Sequence, residues 1–179
     1  MSEERLIRRD RMRFTKNTAS SRLALLAILL NVLFFVSIYK VNREEYYVWV
    51  MGVSILYNLV FMLAAFLASE GVKKYNVRYS VLMAVLGAGQ IIRIFILPAM
   101  MHATVYEEKI PIYKVSKRMG QQIVGYDKIE RLVMPDDQYT RLVVYLGISA
   151  LCLLAGVLIN WHKSRELKAH IAESGSQQT

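Results

Sequence analysis

Apolar residues in this chain are gathered into four long runs, at positions 22–39, 47–69, 79–101 and 142–161. At about 1.5 Å per helical residue, each run reaches roughly the 30 Å of a bilayer's hydrocarbon core. The pattern predicts an all-α integral membrane protein, a four-transmembrane-helix bundle with those four runs as its helices. An extracytoplasmic segment of roughly 40 residues, 102–141, joins helices 3 and 4. The chain then divides into a basic cytoplasmic N-terminal segment (1–21), the membrane domain (22–161) and a cytoplasmic tail (162–179).

The connections sharpen this picture. Residues 1–21 carry six Lys and Arg against three acids, and wound as a helix they set Leu6, Ile7 and Phe14 on one side. Such an element either lies on an anionic leaflet or serves as a solvated topology signal. Between the first two runs, KVNREEYY has room only for a tight turn, and Tyr46, Tyr47 and Trp49 are residues of the headgroup boundary. Gly71 is suited to end the second helix. Pro98, near the end of the third run, predicts a kink or an early stop, because proline leaves the Ile94 carbonyl without its helical donor. Within the long polar segment, IPIYKVS and QQIVGYD flank KRMG and read as a small hairpin with Gly120 in the turn. Residues 126–133 read as a short helix stopped by Pro135, and Asp136 or Asp137 suits the N-cap of the fourth helix. The final tail is polar and expected to fray.

Lys and Arg number 13 on the side that holds both termini and the second connection, and 9 on the other. With the N-terminal cluster flanking the first helix, that asymmetry predicts cytoplasmic termini. The first run is too long for a signal-peptide core and lacks a small-x-small cleavage site after it, so it reads as a retained helix.

Composition narrows the function classes. The chain has 179 residues, 55% hydrophobic, with mean hydropathy +0.29 and formal charge +9. That charge crowds the ends of the apolar runs, where it suits orientation and anionic lipid headgroups rather than nucleic acid. Cys152 is the single cysteine, so an intrachain disulfide and CxxC chemistry are excluded. No Asn-x-Ser/Thr sequon occurs, which is compatible with a bacterial plasma membrane. HExxH, Walker A and paired intramembrane acids are also absent, and the three histidines do not fall at ligand spacing. The pattern calls for no catalytic residue, no metal and no cofactor.

What remains is a layer of polar residues inside the apolar runs. Counted from the outer ends, Ser149 lies about 10 Å deep, Asn31 and Arg93 about 12 Å, and Asn58 and Gln90 about 16 Å, with Tyr145 shallower. Gln90 and Arg93, three apart, share a helix face. No acid lies inside any run, so the charge of Arg93 has no neutralising partner in the bundle. It can snorkel to headgroups or to acids of the polar segment, bind an anion, or pair with an acid of another protein. Asn31, Asn58 and Ser149 suit interhelical hydrogen bonds, while Gly87, Gly89, Cys152 and Gly156 mark close helix approach. A polar layer without reaction machinery predicts a non-enzymatic accessory or structural subunit that binds another membrane protein or itself. The alternative is a small oligomeric channel or transporter with an anion-attracting site at Arg93 and Gln90.

Overall fold

The computed structural model describes residue 7 and residues 16–38, 48–116 and 120–176. The expected amphipathic element at the N-terminus, except Ile7, and the first connection lie outside the described residues. Four long helices carry the fold: α1 (Thr18–Ile38), α2 (Val48–Val72), α3 (Val77–Ala103) and α4 (Asp136–Ser176). All four are long and apolar enough to cross a membrane. Each packs on the next, and α4 closes back on α1.

Uniformly apolar runs do not announce which side faces inward. The buried stripe of α1 is Ser20, Ala24, Ala27, Asn31, Phe34 and Ile38, at steps of three and four, while Leu25, Leu29 and Val36 point outward. Small and polar residues therefore make up most of the buried stripe, with Phe34 and Ile38 completing it at one end, while several branched aliphatics face outward. Only 28–33% of each span is buried, so the rest of its apolar surface is left for lipid. This is the arrangement expected where lipid is as apolar as leucine and close packing with polar contacts holds helices together.

Glycines set the spacing between the helices. A Cβ on Gly87 would stand 3.3 Å from the Leu154 side chain on α4, and one on Gly156 would meet Met83 on α3 at 2.5 Å. Gly71, in the last turn of α2, leaves room for the Tyr79 ring, which a Cβ there would overlap. Tyr75, at φ 56°, turns the chain between α2 and α3, and the Asn76 side chain caps α3 by accepting from Arg78 N at 3.0 Å. Pro98 does not end α3, which continues to Ala103.

Two apolar clusters fill the interior. One joins Ala24, Ala27, Phe61, Ala65, Met83 and Leu153; the other joins Phe34, Ile38, Met101, Val133, Met134, Leu142 and Leu146 at the end where the polar segment emerges. That segment is an antiparallel hairpin, as its IPIYKVS and QQIVGYD stretches predict, but a longer one: β1 (Val105–Ser116) pairs with β2 (Gly120–Leu132), so the protein is not all-α. Residues 126–132 belong to β2 rather than to a short helix. An isolated helix of that length is marginal in water, whereas pairing with β1 satisfies its backbone groups. Gly120 begins β2, opposite Ser116, rather than lying in the turn. The hairpin is anchored at its base, where Val133 N donates to Thr104 O at 2.9 Å and Val133 and Met134 enter the second cluster. Its twelve paired rows extend about 40 Å at 3.3 Å per residue.

The second departure is α4, which does not stop near residue 161 but runs 41 residues, about 60 Å. A helix satisfies its own backbone in lipid and in water alike, so the end of the apolar run is no reason to stop. Beyond it, His162 and Glu166 pair at 3.3 Å one turn apart, and the Arg165 guanidinium lies 5.7 Å from the Trp161 ring centre.

On the exposed hairpin, the hydrogen bond and charge of Lys128 hold the Glu107 carboxyl below its ordinary value of 4.5, and Glu107 in turn raises Lys128 above 10.5. Because Glu107 is depressed, its contribution is complete above the unfolded carboxyl value and is lost as pH falls through the folded one. Lys128 contributes fully below its unfolded value and loses that contribution as pH rises through the folded one. Hairpin amide protection should therefore be flat across neutral pH and fall at both extremes, as hydrogen exchange would measure. Glu107→Gln should abolish the acidic limb attributable to this pair.

Candidate functional site: a guanidinium held by neutral groups

Gln90 and Arg93 project from the buried face of α3 because they continue its stripe of Ser80, Met83 and Gly87. The same periodicity on α1 and α2 brings Asn31, Ser54 and Asn58 inward. Arg93 Nη1 donates to Oδ1 of both Asn31 and Asn58, 3.0 Å each, and Nη2 donates to Ser54 Oγ at 3.1 Å. Gln90 Nε2 donates to Asn31 Oδ1 at 3.1 Å, and Asn31 Nδ2 to Asn58 Oδ1 at 2.9 Å. Asn58 Nδ2 then donates to the Ser54 carbonyl at 2.7 Å. The two asparagines thus turn their carbonyl dipoles toward the cation and hand their own protons onward.

Two aromatic rings complete the enclosure. The guanidinium carbon lies 4.3 Å from the Phe34 ring centre and 4.5 Å from that of Tyr57. Desolvated cation–π contacts of this kind contribute about 2 kcal/mol each. An intramembrane arginine costs on the order of 3 kcal/mol on insertion scales. Oxygen dipoles and ring faces can offset a cost of that size without an acid. Arg93 is 7% exposed, and every partner it has here is uncharged. Gln90 Oε1 is buried with no hydrogen-bond partner.

The other sequence-selected residues lie elsewhere. Ser149 is buried but donates to Ala27 O on α1 at 3.2 Å, away from the arginine. Tyr145 packs half-buried against the apolar cluster beside the hairpin. Gly89 lies near Tyr57, where a Cβ would stand 3.1 Å from the phenol oxygen, and Cys152 is buried in the other apolar cluster. His102 meets Asp136 at 2.7 Å and leans on the Tyr139 ring, tying the end of α3 to the start of α4. Among the described residues no group of three or more His, Cys, Asp or Glu could hold a metal.

Sequence reasoning missed Ser54, Phe34 and Tyr57. Ser54 stands four residues before Asn58 and Phe34 three after Asn31, a spacing that was the available signal, whereas Tyr57 is the neighbour of Asn58 and carried none. It also missed a second polar network at the far end of the helices. There Asn17 Nδ2 donates to Asn160 Oδ1 at 2.8 Å and to Ser20 Oγ at 3.0 Å, and Asn160 Nδ2 donates to Ser80 Oγ at 2.6 Å. Asn17 N also bonds Lys73 O at 3.0 Å, and Ser21 and Ser69 share a hydrogen bond of 2.8 Å.

A groove of about 300 Å³ between α1 and α2 reaches this layer from outside. Val32, Phe35, Ile55, Leu59 and Met62 line it, with Asn31 and Asn58 at its floor. Asn31 and Asn58 therefore touch both the groove and the Arg93 guanidinium.

If the layer acts as a unit, Arg93→Ala and Asn58→Ala should not add. A double-mutant cycle in reversible detergent unfolding should show a coupling of about 0.6 to 2 kcal/mol. Arg93→Lys should restore little of it, because an ammonium cannot lie flat between two rings while donating to three oxygens. Compared with protein-family models, curated proteins and solved structures, the chain finds no match.

Proposed function

We propose that this chain is a non-enzymatic multi-pass membrane protein, an accessory or structural subunit whose four-helix bundle binds a membrane partner. One observation carries the reading: the Arg93 cation sits among the spans, and its hydrogen-bond acceptors among the described residues are all neutral oxygens. Its asparagine holders floor an apolar groove. A partner helix with an acid at the same depth would supply the missing counter-charge, since charged groups within membranes pair where they can. The polar segment, for which the Lys and Arg asymmetry supports an outer position, offers a further recognition surface. Both termini are then cytoplasmic, in a plasma membrane of bacterial type, with the basic ends of the helices against anionic headgroups.

Purification in mild detergent tests this. Wild type should copurify with another membrane protein that Arg93→Ala loses, identified by mass spectrometry. A wild-type protein that runs alone counts against the reading.

A second reading is a small oligomeric channel or transporter with an anion-attracting site at Arg93 and Gln90, favoured by a buried guanidinium whose hydrogen-bond acceptors among the described residues are all neutral. Buried apolar clusters on both sides of the layer give it less support than the first reading. Anion flux in proteoliposomes that disappears with Arg93→Ala and survives in Arg93→Lys is its expected signature. The absence of flux for any small anion removes it.

A further inference from the structure

The hairpin register sets an unusual order of charge on one face. Reading from the base, its rows are Val105 with Leu132, Glu107 with Glu130, Lys109 with Lys128, and Pro111 with Tyr126. Side chains of directly opposed residues share a face and stand about 5 Å apart, so both central rows set like charge against like, which is destabilising. Within the ribbon only one diagonal relieves this, Lys128 Nζ to Glu107 at 2.7 Å. Among the described residues Lys109 and Glu130 form no ion pair, although the Lys109 charge also acts on Glu107 along the same strand. Val105, Leu132 and Tyr126 are 43–62% exposed, and neither strand packs on a helix face. A lone two-stranded ribbon is marginal in water, so this face is built as though something covers it.

The row order is apolar, acidic, basic, apolar, which complements its own reversal. We propose that the hairpin pairs face to face with the hairpin of a second copy of this chain, about a two-fold axis crossing the ribbon between the Glu and Lys rows. That operation lays Glu107 on Lys109 of the second copy and Glu130 on Lys128 of the second copy. Val105 meets Pro111 of the second copy, and Leu132 meets Tyr126 of the second copy. Stacked sheets lie about 10 Å apart, a gap that opposed Glu and Lys side chains span. The opposite face has no such symmetry. The same operation there would set Glu108 on Ile110 and Asp127 on Ile129, burying charge against apolar groups.

The patch is far smaller than the roughly 800 Å² per partner of a stable complex. Confinement of both copies to membranes supplies the effective concentration that a patch of this size needs. Copies in one membrane are related by an axis along its normal, which requires ribbons lying along the surface. Ribbons that stand upright would pair across two apposed membranes. This inference goes beyond the partner-binding reading and does not require it.

The test uses the full chain in proteoliposomes, half of it labelled with ¹⁵N, and a carbodiimide that joins carboxylates to contacting amines. Expected are mixed-isotope cross-links between Glu107 and Lys109 and between Glu130 and Lys128; same-isotope Glu107–Lys128 links report only the ribbon itself. Mixed links that need co-reconstitution place the pair in one membrane, and links between separately loaded vesicles place it across two. Glu107→Lys with Glu130→Lys, and Lys109→Glu with Lys128→Glu, should each abolish the mixed links alone. Mixing the two variants should restore links between copies. Wild-type liposomes that yield no mixed-isotope link at these residues overturn the proposal. So do links in native membranes that run from them to a different protein, which would then be the occupant of this face. Neither result bears on copurification through Arg93, so the two readings fail separately.

Discussion

A guanidinium among apolar helices is the constraint around which this protein is arranged. It cannot be left in contact with hydrocarbon at bearable cost, and among the described residues none of its hydrogen-bond partners is an acid. The solution distributes the charge over three oxygen acceptors and two ring faces drawn from α1 and α2. Because Arg93 stands on α3, the same contacts tie three helices together at one depth. Phe34 serves both arginine and the apolar cluster toward the hairpin, so the electrostatic and packing solutions share a residue.

Seen along the helix axes, polar and apolar layers alternate. The Asn17–Asn160 network lies about 20 Å from the Arg93 layer, counted as 14 residues along α1. The apolar cluster of Ala24, Ala27, Phe61 and Met83 lies between them. Directional hydrogen bonds at two depths fix helix register and rotation, which apolar contacts alone specify poorly among helices whose every face is apolar. Between the layers, alanines and glycines allow close approach. The network at the far end also recruits the backbone, since Lys73 O binds the residue just before α1.

The hairpin and the overhanging part of α4 follow different rules because they leave the apolar zone. The overhang of α4 is held by local pairs such as His162 with Glu166. The hairpin is held by backbone pairing and by an anchoring plug of Val133 and Met134 beneath it. Its charges are exposed and oppose one another across the strands, so its face depends on context in a way that the interior of the helices does not.

The amino-acid sequence by itself determined the number of the apolar helices and the apolar stretch of each, because that run is a local property, but not where α4 ends, since its helix continues past the run. It also marked Asn31, Asn58, Gln90 and Arg93 as a layer, because polar residues in long apolar runs stand out and helical rise converts their positions into depth. It could not tell which of several polar residues at similar depth would meet. Ser149 turned to Ala27, whereas Ser54, unremarked in the sequence, took a bond to Arg93, a choice made by helix rotation. Phe34 and Tyr57 were invisible for a similar reason: an aromatic in an apolar run reads as lipid-facing or core until a cation is seen against it. The strand at residues 126–132 likewise existed only through β1, since hydrogen bonds between segments, rather than the propensity of one, decided its conformation.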